Sequence, residues 1–164
     1  MTQLPITIPF NRPSLVGKEM EYVAQSVANG HISGDGVFTK RCHTLFENEL
    51  NIPKALLTTS CTHALEMVAL LLDIQPGDEV IVPSFTFVSA VNAFVLRGAR
   101  PIFADSCPST LNLDATKLER LITDKTKAII AMHYGGVACE MDDICAIAAR
   151  HNVSVVEDNA HGLF

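Results

Sequence analysis

Short, mostly apolar runs, separated by helix-length stretches of mixed character, set the expected architecture of this chain. Runs at 79–82, 100–104, 128–132 and 153–156 read as strands, and the segments 87–97, 115–122 and 142–151 between them read as helices. Strands that are apolar throughout, without alternation, are buried on both faces, as in a parallel sheet covered by helices. The expected fold class is therefore α/β, a mainly parallel sheet flanked by helices in doubly wound order. Ligands in such sheets sit at the carboxyl ends of the strands. Those ends fall at 58–62, 83–87, Asp105, 133–136 and 157–161.

The stretch 56–72, LLTTSCTHALEMVALLL, organises the rest. Residues 55–57 read as a short strand, 58–60 as a tight turn, and the remainder as a buried helix with Thr59 or Ser60 as its N-cap. The first N–H groups of a helix have no partner within it and share the positive end of its dipole, so an anion, most naturally a phosphate, fits there. An ordinary capped core helix fits the same residues. Neither GxxxxGK[ST] nor GxGxxG occurs.

Upstream, residues 1–13 read as an extended arm, 15–29 as an amphipathic helix closed by Gly30, 31–36 as a glycine-containing loop and 37–50 as a surface helix. Gln75-Pro-Gly-Asp78 is a turn signal. No internal repeat, low-complexity segment or linker to a second domain is evident.

Composition narrows the chemistry. A net charge of -6 without a Lys/Arg run disfavours nucleic acid or an anionic membrane surface as partner. Neither a spanning apolar stretch nor a signal pattern is visible, so the cytoplasm is the expected compartment. Five scattered cysteines without CxxC pairing read as reduced thiols, with no metal site.

After the last strand come Glu157, Asp158 and His161. A carboxylate there could bind a metal, orient a base or hold a protonated ring nitrogen. Phe87, at the end of a parallel strand, could instead be plain core, His161 a solvated imidazole and Glu157 a surface charge. Taken with the helix start at Ser60 to Thr62, these residues suit a flat aromatic ligand with a phosphate tail. Pyridoxal 5'-phosphate is such a ligand, and its chemistry needs a carboxylate to keep the ring nitrogen protonated. A close opposite charge moves a pKa by about 1 to 3 units, enough to do so near neutrality.

Five motifs occur in order: Ser33-Gly-Asp-Gly-Val-Phe-Thr39, Thr59-Ser-Cys-Thr62, the run 75–88, His133-Tyr-Gly-Gly-Val-Ala-Cys-Glu-Met141 and Glu157-Asp-Asn-Ala-His161. Together they resemble the DegT/DnrJ/StrS family of sugar aminotransferases, along the whole chain. The resemblance implies a pyridoxal-phosphate-dependent transferase of fold type I. It implies transfer of an amino group from glutamate to the C4 keto group of a nucleotide-linked 6-deoxysugar, in surface polysaccharide biosynthesis, by a homodimer. The Gly-Asp-Gly loop and the 136–141 run look most like members forming dTDP-4-amino-4,6-dideoxygalactose. By motif position, the backbone at Cys61 and Thr62 would bind phosphate, Phe87 would stack on the ring, Asp158 would pair with the pyridine nitrogen and His161 would lie near the ring hydroxyl. The family commonly has alanine where this chain has Asn159.

The family's Schiff-base lysine is expected beyond the strand that follows Glu-Asp-x-Ala-His, after Phe164. Lys18, Lys40, Lys54, Lys117, Lys125 and Lys127 all fall elsewhere. Residues 1–164 are thus expected to be an incomplete large, cofactor-binding domain, the N-terminal part, without the small C-terminal domain and inactive alone. A sugar dehydratase of the same family, with histidine in place of that lysine, and a non-catalytic binding fragment remain as alternatives.

Overall fold

The computed structural model describes residue 8 and residues 12–162, and the chain divides into two units, Met1–Leu57 and Thr58–Phe164. Most of the expected arm, residues 1–13, lies outside the described residues.

The first unit contains helices α1 (Glu19–Ala28) and α2 (Val37–Glu49). α1 starts later than its apolar pattern predicts. Glu19 accepts hydrogen bonds from the backbone N–H groups of Val16 and Gly17 at 2.7 and 2.9 Å, and Gly17 has a φ of 134°, which halts the helix. Neither helix buries a residue. The Tyr22 and Phe38 rings meet at 5.4 Å, with the Arg41 guanidinium over both, at 5.7 and 5.3 Å. The strand expected at 55–57 does not form. Its backbone donors go to side chains instead: Ala55 N–H to Glu47 Oε1 at 3.1 Å and Leu57 N–H to His43 Nε2 at 3.0 Å. A segment whose donors are spent on α2 side chains has no ladder to join.

The second unit is built on four parallel strands, β1 (Glu79–Pro83), β2 (Arg100–Ala104), β3 (Thr126–Met132) and β4 (Ser154–Asp158), in the order β2-β1-β3-β4. This is the α/β parallel sheet that the apolar runs predict. The order reverses between β1 and β3, the switch point at whose carboxyl side doubly wound sheets bind ligands. Side-chain alternation divides the core in two. On one face, Val80, Val82, Ala128, Ile130 and Val156 pack with Leu65 and Ala69 of α3 (Cys61–Leu71) and with Ala90, Ala93 and Phe94 of α4 (Ser89–Val95). On the other, Ile81, Ile129 and Ala131 pack with Leu118 and with Ile144, Ile147 and Ala148 of α5 (Met141–His151). α3 is less buried than its composition suggests, since Leu70 and Leu71 face solvent.

The helix expected at 115–122 is instead two 3₁₀ turns, Ala115–Lys117 and Glu119–Leu121. Eight residues repay helix nucleation poorly, and here i→i+3 bonds such as Leu118 N–H to Ala115 O serve in place of α-helical ones. At the amino end of the sheet, buried Glu79 pairs with Arg100 and accepts from Thr123 Oγ1 at 2.7 Å.

Candidate functional site

Every candidate site residue falls in the second unit, at the carboxyl rim of the sheet or at the start of α3. Ser60 is the N-cap: its hydroxyl accepts from His63 N–H at 3.2 Å, and its carbonyl accepts from Ala64 N–H at 3.1 Å. Among the described residues, the N–H groups of Cys61 and Thr62 have no partner, as first-turn donors do not. The expectation of a capped helix start is met, with Ser60 rather than Thr59 as the cap. Thr59 instead shares a 2.5 Å hydrogen bond with His63 Nδ1.

Asp158 ends β4 on the α3 side of the sheet and is 3% exposed. The Cys61 thiol reaches it across 97 positions of chain, donating to Oδ1 at 3.5 Å, and Ala160 N–H donates to the same oxygen at 3.3 Å. Among the described residues it has no cationic partner. Burial, followed by the Asp158 charge and hydrogen bond, pushes the Cys61 thiol up to about 11, so it stays a neutral donor. A buried carboxylate held only by a thiol and a loop amide can accept a charged N–H donor from a ligand.

Phe87 is 64% exposed, so it is not a core residue, and it lies in the loop leading from β1 into α4. In the same loop, Thr86 Oγ1 is buried and, among the described residues, has no hydrogen-bond partner. His161 receives Gly135 N–H on Nδ1 at 3.0 Å, which leaves the neutral ring its proton on Nε2.

Glu157 goes elsewhere. Side chains alternate along a strand, so it stands on the α5 face, where its Oε2 meets buried His133 Nε2 at 2.9 Å. His133 Nδ1 accepts from Cys139 N–H at 3.1 Å, which places the ring proton on Nε2 as the donor to Glu157. A cleft of about 240 Å³ on this side is lined by His133, Glu157, Met141 and Asn159.

Three residues that the sequence does not single out complete the rim. The Phe85 ring lies 4.6 Å from Tyr134, Tyr134 meets His161 edge-on at 5.3 Å, and buried Asn112 bonds the loop carrying Tyr134. Phe85 and Tyr134 sit at predicted strand ends and could have been marked by that position alone.

A family model described as the DegT/DnrJ/EryC1/StrS aminotransferase family matches residues 13–164. GDP-perosamine synthase of Caulobacter vibrioides is 40% identical over 163 residues, which is 99% of this chain and 44% of that protein. Among solved structures, an aminotransferase from Psychrobacter cryohalolentis superposes with a TM-score of 0.88 at 33% identity, covering 94% of this chain and 40% of the other. The PLP form of Spr1654 of Streptococcus pneumoniae superposes at 0.85 with 29% identity, covering 96% and 44%. The chain therefore spans less than half the length of each of these relatives.

Proposed function

Because the chain belongs to the DegT/DnrJ/EryC1/StrS aminotransferase family, we propose that its Thr58–Phe164 unit holds pyridoxal 5'-phosphate as part of the large domain of a fold-type-I sugar aminotransferase. The observation that carries this reading is Asp158, a buried carboxylate without a cation among the described residues, touching the first residue of a helix whose leading N–H groups are free. These residues fit the cofactor's two ends.

When bound, the cofactor supplies an electron sink through its protonated ring. Asp158 holds the proton on the ring nitrogen, and the Cys61 thiol and Ala160 N–H steady the carboxylate in that role. The N–H groups of Cys61 and Thr62 bind the phosphate with help from the α3 dipole. Phe87 covers one face of the ring and keeps water from it. His161, locked through Nδ1, offers Nε2–H to the ring hydroxyl. The substrates are glutamate as amino donor and a nucleotide-linked 4-keto-6-deoxysugar, giving dTDP-4-amino-4,6-dideoxygalactose. Support comes from the Gly34-Asp-Gly36 loop and the 136–141 run. The exposed apolar residues of α1, Met20, Val23 and Val27, support a homodimer. Among the described residues no helix is long and apolar enough to cross a membrane.

The experiment compares pyridoxal phosphate with pyridoxal, which lacks the phosphate, by equilibrium dialysis. Charge-assisted hydrogen bonds contribute about 1.5 to 3 kcal/mol, so the phosphorylated form should bind at least about tenfold tighter. Equal affinity for the two, or none for either, would refute the reading.

A further inference from the structure

The loop of residues 133–139 carries the groups that hold His161, yet it is short of regular structure, so something outside it must fix its shape. It opens with the 3₁₀ turn Tyr134–Gly136, in which Gly135 and Gly136 have φ of 62° and 80°, a conformation side-chain-bearing residues resist. A Cβ at Gly136 would stand 3.3 Å from the His161 carbonyl. Three of its fastenings come from one residue of the β2–β3 crossover. The Asn112 amide donates to the carbonyls of Val137 and Ala138 at 2.8 and 3.1 Å and accepts Tyr134 N–H at 2.9 Å, bridging both ends of the loop. Asn112 is 3% exposed, and its own carbonyl accepts Cys107 N–H at 2.8 Å. The residue before it, Leu111, has a φ of 64°, a strained conformation for a branched side chain that persists only where surrounding structure imposes it.

We propose that Asn112 is a positioning residue: by clamping Tyr134, Val137 and Ala138 it aims Gly135 N–H at His161 Nδ1, and so fixes that ring with its donor on Nε2 at the rim of the site. Asn112 acts through the loop: among the described residues, its hydrogen bonds go to Tyr134, Val137, Ala138, Cys107 and Thr110, none of them assigned to the cofactor. The inference deepens the cofactor reading of His161 and rests on it for its consequence, though the clamp itself stands on protein geometry alone.

Two readouts on the whole protein separate the clamp from that reading. Amide hydrogen exchange, resolved by NMR, should speed up at Gly135 by about tenfold or more in Asn112→Ala, while the Ile129 and Ile130 amides of β3 keep their wild-type rates. Asn112→Ser keeps a small hydroxyl that can make one of the three bonds without burying a charge, so it should fall between the two. It also keeps the test usable should the alanine variant fold poorly. Gly135 rates within about twofold of wild type in both variants, or equal acceleration along β3, would overturn the clamp. The second readout is pyridoxal phosphate affinity. Asn112→Ala and His161→Ala should each weaken it, and the double variant should lose no more than His161→Ala alone. If His161→Ala leaves affinity unchanged while Gly135 still responds to Asn112→Ala, the clamp stands and the cofactor role of His161 falls.

Discussion

Two buried acids stand at opposite rims of one sheet and are treated oppositely. Glu79, at the start of β1, is 2% exposed and fully engaged, with Arg100 and Thr123 on its two oxygens. Asp158, at the end of β4, is nearly as buried, but among the described residues its carboxylate meets a thiol and a loop amide and no charged group. Burying a carboxylate is costly without a charge or several hydrogen bonds to receive it. The amino rim satisfies that demand internally, whereas the carboxyl rim leaves it open, at the rim where doubly wound sheets bind ligands. On the proposed reading, the acid without a charged partner among the described residues belongs to the cofactor site and the paired one to the scaffold.

The largest expected effect falls on the scaffold acid. Arg100→Ala strips Glu79 of its charged partner and should cost about 2 to 3 kcal/mol in urea unfolding, with pyridoxal phosphate affinity unchanged. The Arg100 hydrogen bond, ahead of that from Thr123, lowers the Glu79 pKa. A carboxyl with a depressed folded-state pKa adds stability above its unfolded value and loses it as pH falls through the folded one. Wild type should therefore lose this increment below pH about 4, and Arg100→Ala should show a weaker acid dependence there.

Cys61 reports on the other acid. With its pKa raised from 9.0 to about 11, its thiolate population at neutral pH is about 100-fold below that of an ordinary thiol, and alkylation followed by mass spectrometry should be slow accordingly. Asp158→Asn removes the charge but not the burial, the larger cause, so the rate should rise without becoming ordinary. No change would mean that Asp158 is not charged beside the thiol. Ser60→Ala removes the α3 cap and should cost about 1 kcal/mol in stability. The smallest effect is expected at exposed Leu111, where glycine should relieve left-handed strain and stabilise the fold by up to about 1 kcal/mol in thermal or urea unfolding.

The sheet was legible because short, mostly apolar runs bounded by turn chemistry leave few alternatives. The 79–82 run is buried throughout, and Asp78 Oδ2 receives Gln75 N–H at 2.9 Å in the turn that Gln75-Pro-Gly-Asp78 predicts. The 55–57 segment misled because its composition suits a strand, while hydrogen bonds to His43 and Glu47, distant in sequence, decided its conformation. At the rim, the position of Asp158 could be read from the strand end. The opposite placement of Glu157 follows from alternation once β4 is bounded, but its partner His133 does not. Asn112 gave no signal: it follows a leucine in a conformation that leucine rarely adopts, and its partners lie 22 to 26 residues away.

The contrast between a ligand-ready acid and its structural neighbour is tested most directly by titrating pyridoxal phosphate against wild type, Asp158→Asn and Glu157→Gln. A lost charge-assisted bond should weaken binding about 10- to 100-fold in Asp158→Asn, and Glu157→Gln should stay within about twofold of wild type. Undiminished binding by Asp158→Asn, or equal losses in both variants, would contradict the account.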